Sequence, residues 1–442
     1  MLLCPDMNTF LHDPESRTLL ARIFLGLLGG SLSLLMLFRP LPEWLRQLPR
    51  GRFDGGLLGA YTLARVFLMV SLFVIGHQQL HADLPAFYLP QARWVLERKL
   101  PYRDFYSSYA PLFSICNAGL LHIWNSGFTL LIFSVVCDIA ALPIWLRVLR
   151  RFLSEDAVRC AGVLMLLQPV VLWNRSVSGG NEAEISLLLA LSAYFVARRD
   201  LISGGWSTST LILVKFLPAL FLPQLFFAAK QRGRWLIGAA VLPVLVFGWL
   251  LLHGFNFLLP LQHEGSLATS SNISYSLISL TGIPVAARIL DVLTVAALAG
   301  VLLWMGRAAL RATTDSARMW VLSLGMLAIQ LALLIVSKKS YPMYLTPIAF
   351  PMAGYLAVSV GERRERSIAA VYAVLMVVSM FVTSLWYDMM HGMGPLELHA
   401  DMMQGSGAAW IEWTIMTLPV PCYVWLLYVI LRDANRPTDF AS

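Results

Sequence analysis

A histidine and an aspartate stand two residues apart in His81-Ala82-Asp83, just beyond an apolar run of membrane-spanning length. The stretch continues through Leu84-Pro85-Ala86-Phe87-Tyr88 and on to Leu100-Pro101-Tyr102-Arg103-Asp104. A carboxylate placed at a bilayer edge can take a proton from a hydroxyl delivered at the lipid–water boundary. Asp83 is therefore a candidate general base, and His81 a candidate to orient it or the acceptor. Two plainer roles stand beside these. An Asp shortly before a Pro often starts a helix, and a lone interfacial His is often structural. One residue can both cap and catalyse.

The elements that carry these residues are membrane helices. Hydrophobic residues make up 58% of the 442-residue chain and charged residues only 13%, about half the charged share of a soluble domain. The whole chain, 1–442, reads as a single integral membrane domain, all-α and polytopic. The net charge of +8 does not point to nucleic acid. The basic residues fall in short loops, where they set topology. The five cysteines show no CxxC spacing, so neither a zinc site nor a disulfide framework is expected. Acidic Asp6, Asp13 and Glu15 precede the first apolar run, unlike the basic start of a standard signal peptide.

Spans are expected near 19–38, 57–76, 128–147, 160–174, 184–197, 235–253, 283–305, 319–337, 343–360, 368–387 and 410–431. Two more apolar segments, 110–126 and 206–228, read as short or re-entrant helices, which raises the count to about 11–13 if each crosses. Arg39, Arg46, Arg50, Arg52, Arg147, Arg150, Arg151, Arg159, Arg198 and Arg199 then fall on one side with the basic residues of 230–234, 307–318 and 363–366, the cytoplasmic side. The outer side receives 77–109, 175–183, 254–282, 338–342 and 388–409. Within 77–109, Trp94, Val95 and Leu96 alternate with Arg93, Glu97, Arg98 and Lys99, the pattern of an interfacial helix or of a solvated connector with an aromatic anchor. Residues 19–56 read as an N-terminal hairpin, 57–350 as a core, and 351–442 as C-terminal helices. The expected setting is the bacterial plasma (inner) membrane, with the candidate site on its outer face.

The order of elements resembles the GT-C glycosyltransferases, and most closely the polyprenol-phosphate-dependent hexosyltransferases of the GT87 (DUF2029) type. The features that carry it are a span, an outer loop with His81-x-Asp83, then Tyr88, Lys99-Leu100-Pro101-Tyr102 and Tyr109-Ala110-Pro111. Further along come Asn174 through Glu182, the Arg198-Arg199-Asp200 turn with Lys215-x-x-Pro218, and Asn272-Ile273-Ser274-Tyr275-Ser276-Leu277. The family's usual glycine before Pro-Tyr, its second proline after Tyr-x-Pro and its Gly-Gln turn are replaced here. The resemblance covers about residues 57–350 and implies a GT-C-like bundle.

It also implies a polyprenyl-phosphate sugar as donor, a glycolipid or glycan as acceptor, an Asp base, and inversion at the sugar carbon. A donor phosphate calls for cationic or hydrogen-bonding groups. Lys338 and Lys339 are outer-side cations that oppose the positive-inside trend, and they could instead snorkel to head groups. Arg175 is a second option, for phosphate or for pairing with Glu182. Arg103, beside Asp104, is a third. Asp104 could be a second carboxylate or a cap. Tyr88, Asn181 and Glu182 complete the substrate-facing set, and Lys215 could snorkel or meet a phosphate or carboxylate. Tyr341 and Tyr344 read as interfacial belt. No cofactor or divalent metal is expected; Asp388, His391, His399 and Asp401 match no metal-ligand spacing.

Two other classes compete. A transporter or flippase would show paired intramembrane charges and repeat symmetry, and no matched halves are visible in the sequence. A polysaccharide polymerase or ligase would rely on a large late outer loop, for which 388–409 is the candidate.

Overall fold

The computed structural model describes residues 14–39, 41–264, 271–338, 340–384 and 394–435. Cys4, Asp6, Asp13, Lys339, Asp388 and His391 lie outside the described residues. Among the described residues the chain is helical, and its only extended pairing is an isolated bridge between Pro101 and Phe105.

Eight helices are long and apolar enough to cross a membrane: Thr18–Phe38, Arg50–Ile75, Gly127–Leu149, Arg232–Leu252, Ala287–Arg311, Asp315–Val336, Pro342–Gly361 and Gly407–Asp433. This is an all-α polytopic membrane protein. The count among the described residues is lower than the eleven to thirteen expected. The 160–174 run is part of a bent pair, Glu155–Leu166 and Pro169–Ser176, which turns by 53° and makes a ninth span only if the two halves are read together. The bend follows from Pro169, which has no N–H to give to the preceding turn. The Gln168 side chain starts the second half by accepting from the amides of Val170 and Val171. The 184–197 run is the 16-residue helix Glu182–Ala197, about 24 Å long and short of a bilayer core of about 30 Å. Residues 19–56, expected as an N-terminal hairpin with one span at 19–38, hold one long helix, a short Glu43–Gln47 helix, and the start of the next span at Arg50.

The 206–228 segment breaks in two. Leu201–Val214 is followed by an extended Lys215, a 3-10 turn at Leu217–Phe221, and Leu222–Ala228. Pro218 fits the first turn after the break, because its missing N–H would be unpaired there anyway. Both ends of this hairpin meet one carboxylate, Asp315, through Arg199 at 2.6 Å and Lys230 at 2.9 Å. The segment therefore starts and finishes at the same end of the bundle, with Lys215 at its apex.

Ion pairs join the other basic loops as well. Arg150 links Asp54 and Glu155, and Arg432 links Glu365 and Asp433. The loops expected on the opposite side touch one another in turn. The Asn181 amide meets Tyr88, the Arg103 guanidinium lies 5.8 Å from the Phe255 ring, Asn272 donates to the Lys338 carbonyl, and His399 contacts the Ser279 carbonyl. Positive-inside sorting and packing thus divide the loops in the same way.

Asp315–Val336 is the central helix: every residue from Met319 to Ile335 is buried. A helix that is apolar all round belongs inside a bundle. Lipid is as apolar as leucine, so helices associate through close packing and small residues. The tightest crossing is Gly205 of Leu201–Val214 against Gly238 of Arg232–Leu252. A Cβ on Gly205 would stand 2.3 Å from the Trp235 carbonyl oxygen, and one on Gly238 would stand 2.5 Å from that of Ile202.

Candidate functional site

The 77–109 loop folds as a π-helical turn at Leu84–Tyr88 that runs into the helix Leu89–Leu96. Pro85 and Pro90 each occupy an early position of their segments. Leu84 and Tyr88, four residues apart, face inward and are buried, while Phe87 between them is exposed. Leu84 reaches so far inward that a Cβ on Gly179, which has φ +62°, would come within 2.5 Å of its methyl carbon. Glycine at 179 thus serves both a left-handed turn and the approach of the loop.

Asp83 precedes this turn but makes no capping hydrogen bond with its side chain. It is exposed, and it accepts a 3.0 Å hydrogen bond from the Tyr109 hydroxyl. The residue before it, Ala82, has φ +61°. A non-glycine residue in the left-handed region costs about 1–2 kcal/mol, and such strain tends to collect where geometry serves a site.

Tyr109, Tyr88 and Phe113 pack edge-on or tilted with ring centroids 4.8–5.1 Å apart. Burial pushes both tyrosine hydroxyls well above the ordinary tyrosine range, and the nearby Asp83 charge adds to this. Tyr109 therefore remains a neutral donor. Tyr88 in turn accepts from the Asn181 amide at 3.4 Å. The Asn181 side chain and Glu182 both accept from the Lys215 ammonium, at 2.9 and 3.0 Å. Tyr344 places its ring 5.4 Å from the same ammonium. Tyr344, expected as interfacial belt, thus faces the hairpin apex.

Asp83, Tyr88, Asn181, Glu182 and Lys215 are thus joined through Tyr109 in one chain of contacts. His81 lies beside it, its ring 6.4 Å from Trp173, which also lies under the Arg22 guanidinium at 5.0 Å. Phe216, next to Lys215, packs with Leu100, Tyr102, Leu250 and Phe255, so the 77–109 loop and the hairpin apex also share an apolar contact.

The remaining candidates lie apart from this chain. Arg103 and Asp104 pair with each other at 2.7 Å, and Asp104 also accepts from the Leu100 amide at 2.8 Å. Both contacts hold its carboxyl below the usual range. Asp104 closes its own turn rather than capping the next helix, Pro111–Ile123, whose N-cap is Ala110. Lys338 is paired with Asp291 at 2.9 Å.

Arg175 does not pair with Glu182. It is fully buried and binds Asp138, also fully buried, and the Thr346 carbonyl. Arg65 approaches the same carboxylate at 2.9 Å, and the Tyr61 hydroxyl donates to it at 3.0 Å. The Arg65 guanidinium lies 3.2 Å from the Tyr61 ring centre. Three helices, Arg50–Ile75, Gly127–Leu149 and Pro169–Ser176, are tied at one carboxylate.

Asp138, Arg65, Tyr61 and Tyr109 are absent from the sequence candidates. For Asp138 a signal exists, since a lone carboxylate inside an apolar span is costly unless paired. Arg65 carries the same signal. For Tyr109 none exists beyond its place in the motif.

Among the described residues no group of three or more His, Cys, Asp or Glu side chains could hold a metal ion. No family model matches the chain, and no curated protein matches it. The class that fold and site define is a polytopic all-α membrane protein with an exposed carboxylate and a paired lysine joined at one end of its bundle.

Proposed function

We propose that this protein is a membrane glycosyltransferase of the GT-C type, moving a hexose such as mannose from a polyprenyl-phosphate donor to a lipid or glycan acceptor. The observation that carries the reading is the run of contacts from Asp83 through Tyr109, Tyr88 and Asn181 to Lys215. It sets an accessible carboxylate and an ammonium in one anchored group at the loop end of a bundle of apolar helices.

In this reading Asp83 takes the proton from the acceptor hydroxyl as its oxygen bonds to the sugar carbon. The bond from that carbon to the phosphate oxygen breaks, and the polyprenyl phosphate leaves with the electron pair. A cation such as Lys215 offsets the charge that develops on the leaving oxygen. A single displacement inverts the anomeric centre. The outer face of a bacterial plasma membrane is the proposed setting, with the bilayer delivering the donor.

A second reading, a transporter or flippase, draws support from the buried Arg65, Asp138 and Arg175 group, because intramembrane charges also mark transport paths. Within it Tyr61 donates to Asp138 and Arg175 donates to the Thr346 carbonyl, contacts that favour a structural tie.

The test is sugar transfer by the purified protein in lipid, using a panel of short-chain polyprenyl-phosphate sugars with Asp83→Asn alongside. Transfer by the wild type and loss in a folded Asp83→Asn variant is the expected result. Equal transfer by both removes Asp83 as the base. A folded wild type that transfers from no donor, yet moves a labelled lipid-linked sugar across vesicles, replaces this reading with the second.

A further inference from the structure

The central helix Asp315–Val336 carries one amide side chain in its buried run, Gln330. It is 2% exposed, and its Nε2 has no hydrogen-bond partner among the described residues. Packing does not account for it, because an unpaired buried amide destabilises a fold by about 1–3 kcal/mol. Gln330 lies fifteen residues after Asp315, about 22 Å along the helix. Lys215 lies fourteen residues after Leu201, at the end of a helix about 21 Å long that begins beside the Arg199–Asp315 pair. Both therefore reach the same depth.

They meet at a cavity of about 10 Å³ lined by Glu182, Lys215, Pro218, Gln330, Tyr344 and Pro347, among others. That is room for one oxygen-sized atom. Lys215 and Gln330 both line it, and the Lys215 ammonium and the unpaired Gln330 Nε2 are both donors. Glu182 is the acidic member, and its carboxylate at 3.0 Å is the counter-ion that Lys215 holds here.

We infer that Gln330 and Lys215 form a subsite for a phosphate oxygen of the lipid-linked donor, with Lys215 exchanging Glu182 for the phosphate as the donor binds. This rests on the glycosyltransferase reading. A phosphate oxygen suits the space because it only accepts, and the orphan N–H of Gln330 only donates. Gln330 belongs to none of the motifs that carry the family resemblance.

The test is binding of short-chain polyprenyl monophosphate to the full chain in nanodiscs, with thermal unfolding recorded on the same samples. Unphosphorylated polyprenol and inorganic phosphate serve as competitors. Gln330→Leu should bind the lipid phosphate at least tenfold more weakly, and it should unfold at a higher temperature because the orphan amide is gone. Gain of stability with loss of affinity is a pairing that a purely structural glutamine does not give. Unchanged affinity in Gln330→Leu overturns the inference, as does equal competition by polyprenol, and leaves the cavity to a bridging water. Competition by inorganic phosphate as strong as by the lipid phosphate assigns the subsite to a free anion and overturns the donor assignment. Should Gln330→Leu fail to fold, Gln330→Glu decides. It adds a negative charge in nearly the same shape, and wild-type affinity there overturns the inference. Phosphate binding that depends on Gln330, in a protein that transfers no sugar, defeats the glycosyltransferase reading while keeping the subsite.

Discussion

Tyr109 donates its hydroxyl to Asp83 across 3.0 Å, although the two residues stand towards opposite ends of the 77–109 loop. The bond closes the loop on itself and aims the exposed carboxylate, while the Tyr109 ring is fixed against Tyr88 and Phe113.

If Asp83 is the base, Tyr109 is its positioning residue. Tyr109→Phe keeps the ring packing and removes only the donor. Turnover should fall roughly ten- to a hundredfold, the loss of one hydrogen bond to a charged group, with the donor KM little changed. Steady-state kinetics over a donor series checks this split. A matched rise in KM with unchanged turnover would place Tyr109 in substrate binding instead.

Among the described residues, Asp138 is the one carboxylate paired with both buried guanidinium groups, Arg65 and Arg175. Asp138→Asn leaves both cations without their counter-charge. Removing one partner of a buried pair costs about 3–5 kcal/mol, so the variant should lose its cooperative unfolding transition or much of its midpoint temperature. Replacing Asp138, Arg65 and Arg175 together with apolar residues should cost far less than Asp138→Asn alone. Thermal unfolding in detergent, followed by tryptophan fluorescence, distinguishes the two outcomes.

The Gly205–Gly238 crossing brings backbone to backbone. Gly205→Leu should force the Leu201–Val214 and Arg232–Leu252 helices apart, and so displace Lys215 at the hairpin apex. The expected result is a lower unfolding midpoint together with weaker donor binding. A surface control, Gly233→Leu, meets nothing within 4 Å and should leave both unchanged. A folded Gly205→Leu variant with wild-type donor binding would show that the apex is held by its own contacts alone.

Much of this architecture was legible from local pattern. Apolar runs long enough to span a bilayer mark most of the long helices, because hydropathy acts on each segment separately. Arg199, Lys230 and Asp315 also meet at the end where basic loops were expected, since charge distribution is set along the chain. The 110–126 and 206–228 segments were ambiguous for a physical reason. Their apolar content suits a crossing, and only Pro218 and the Lys215 break turn the second one back.

The sequence by itself determined the helical membrane class, the sorting of loops, and the presence of an acidic residue at a loop edge. Tertiary structure alone decided which groups answer one another. Asp83 finds Tyr109 twenty-six residues away, Glu182 takes Lys215 rather than Arg175, Arg175 is claimed by Asp138, and Gln330 opens onto the cavity beside Lys215. Periodicity and hydropathy are properties of neighbours along the chain. The pairing of buried charges is settled by which helices pack together, because an unpaired ion in an apolar interior is too costly to leave.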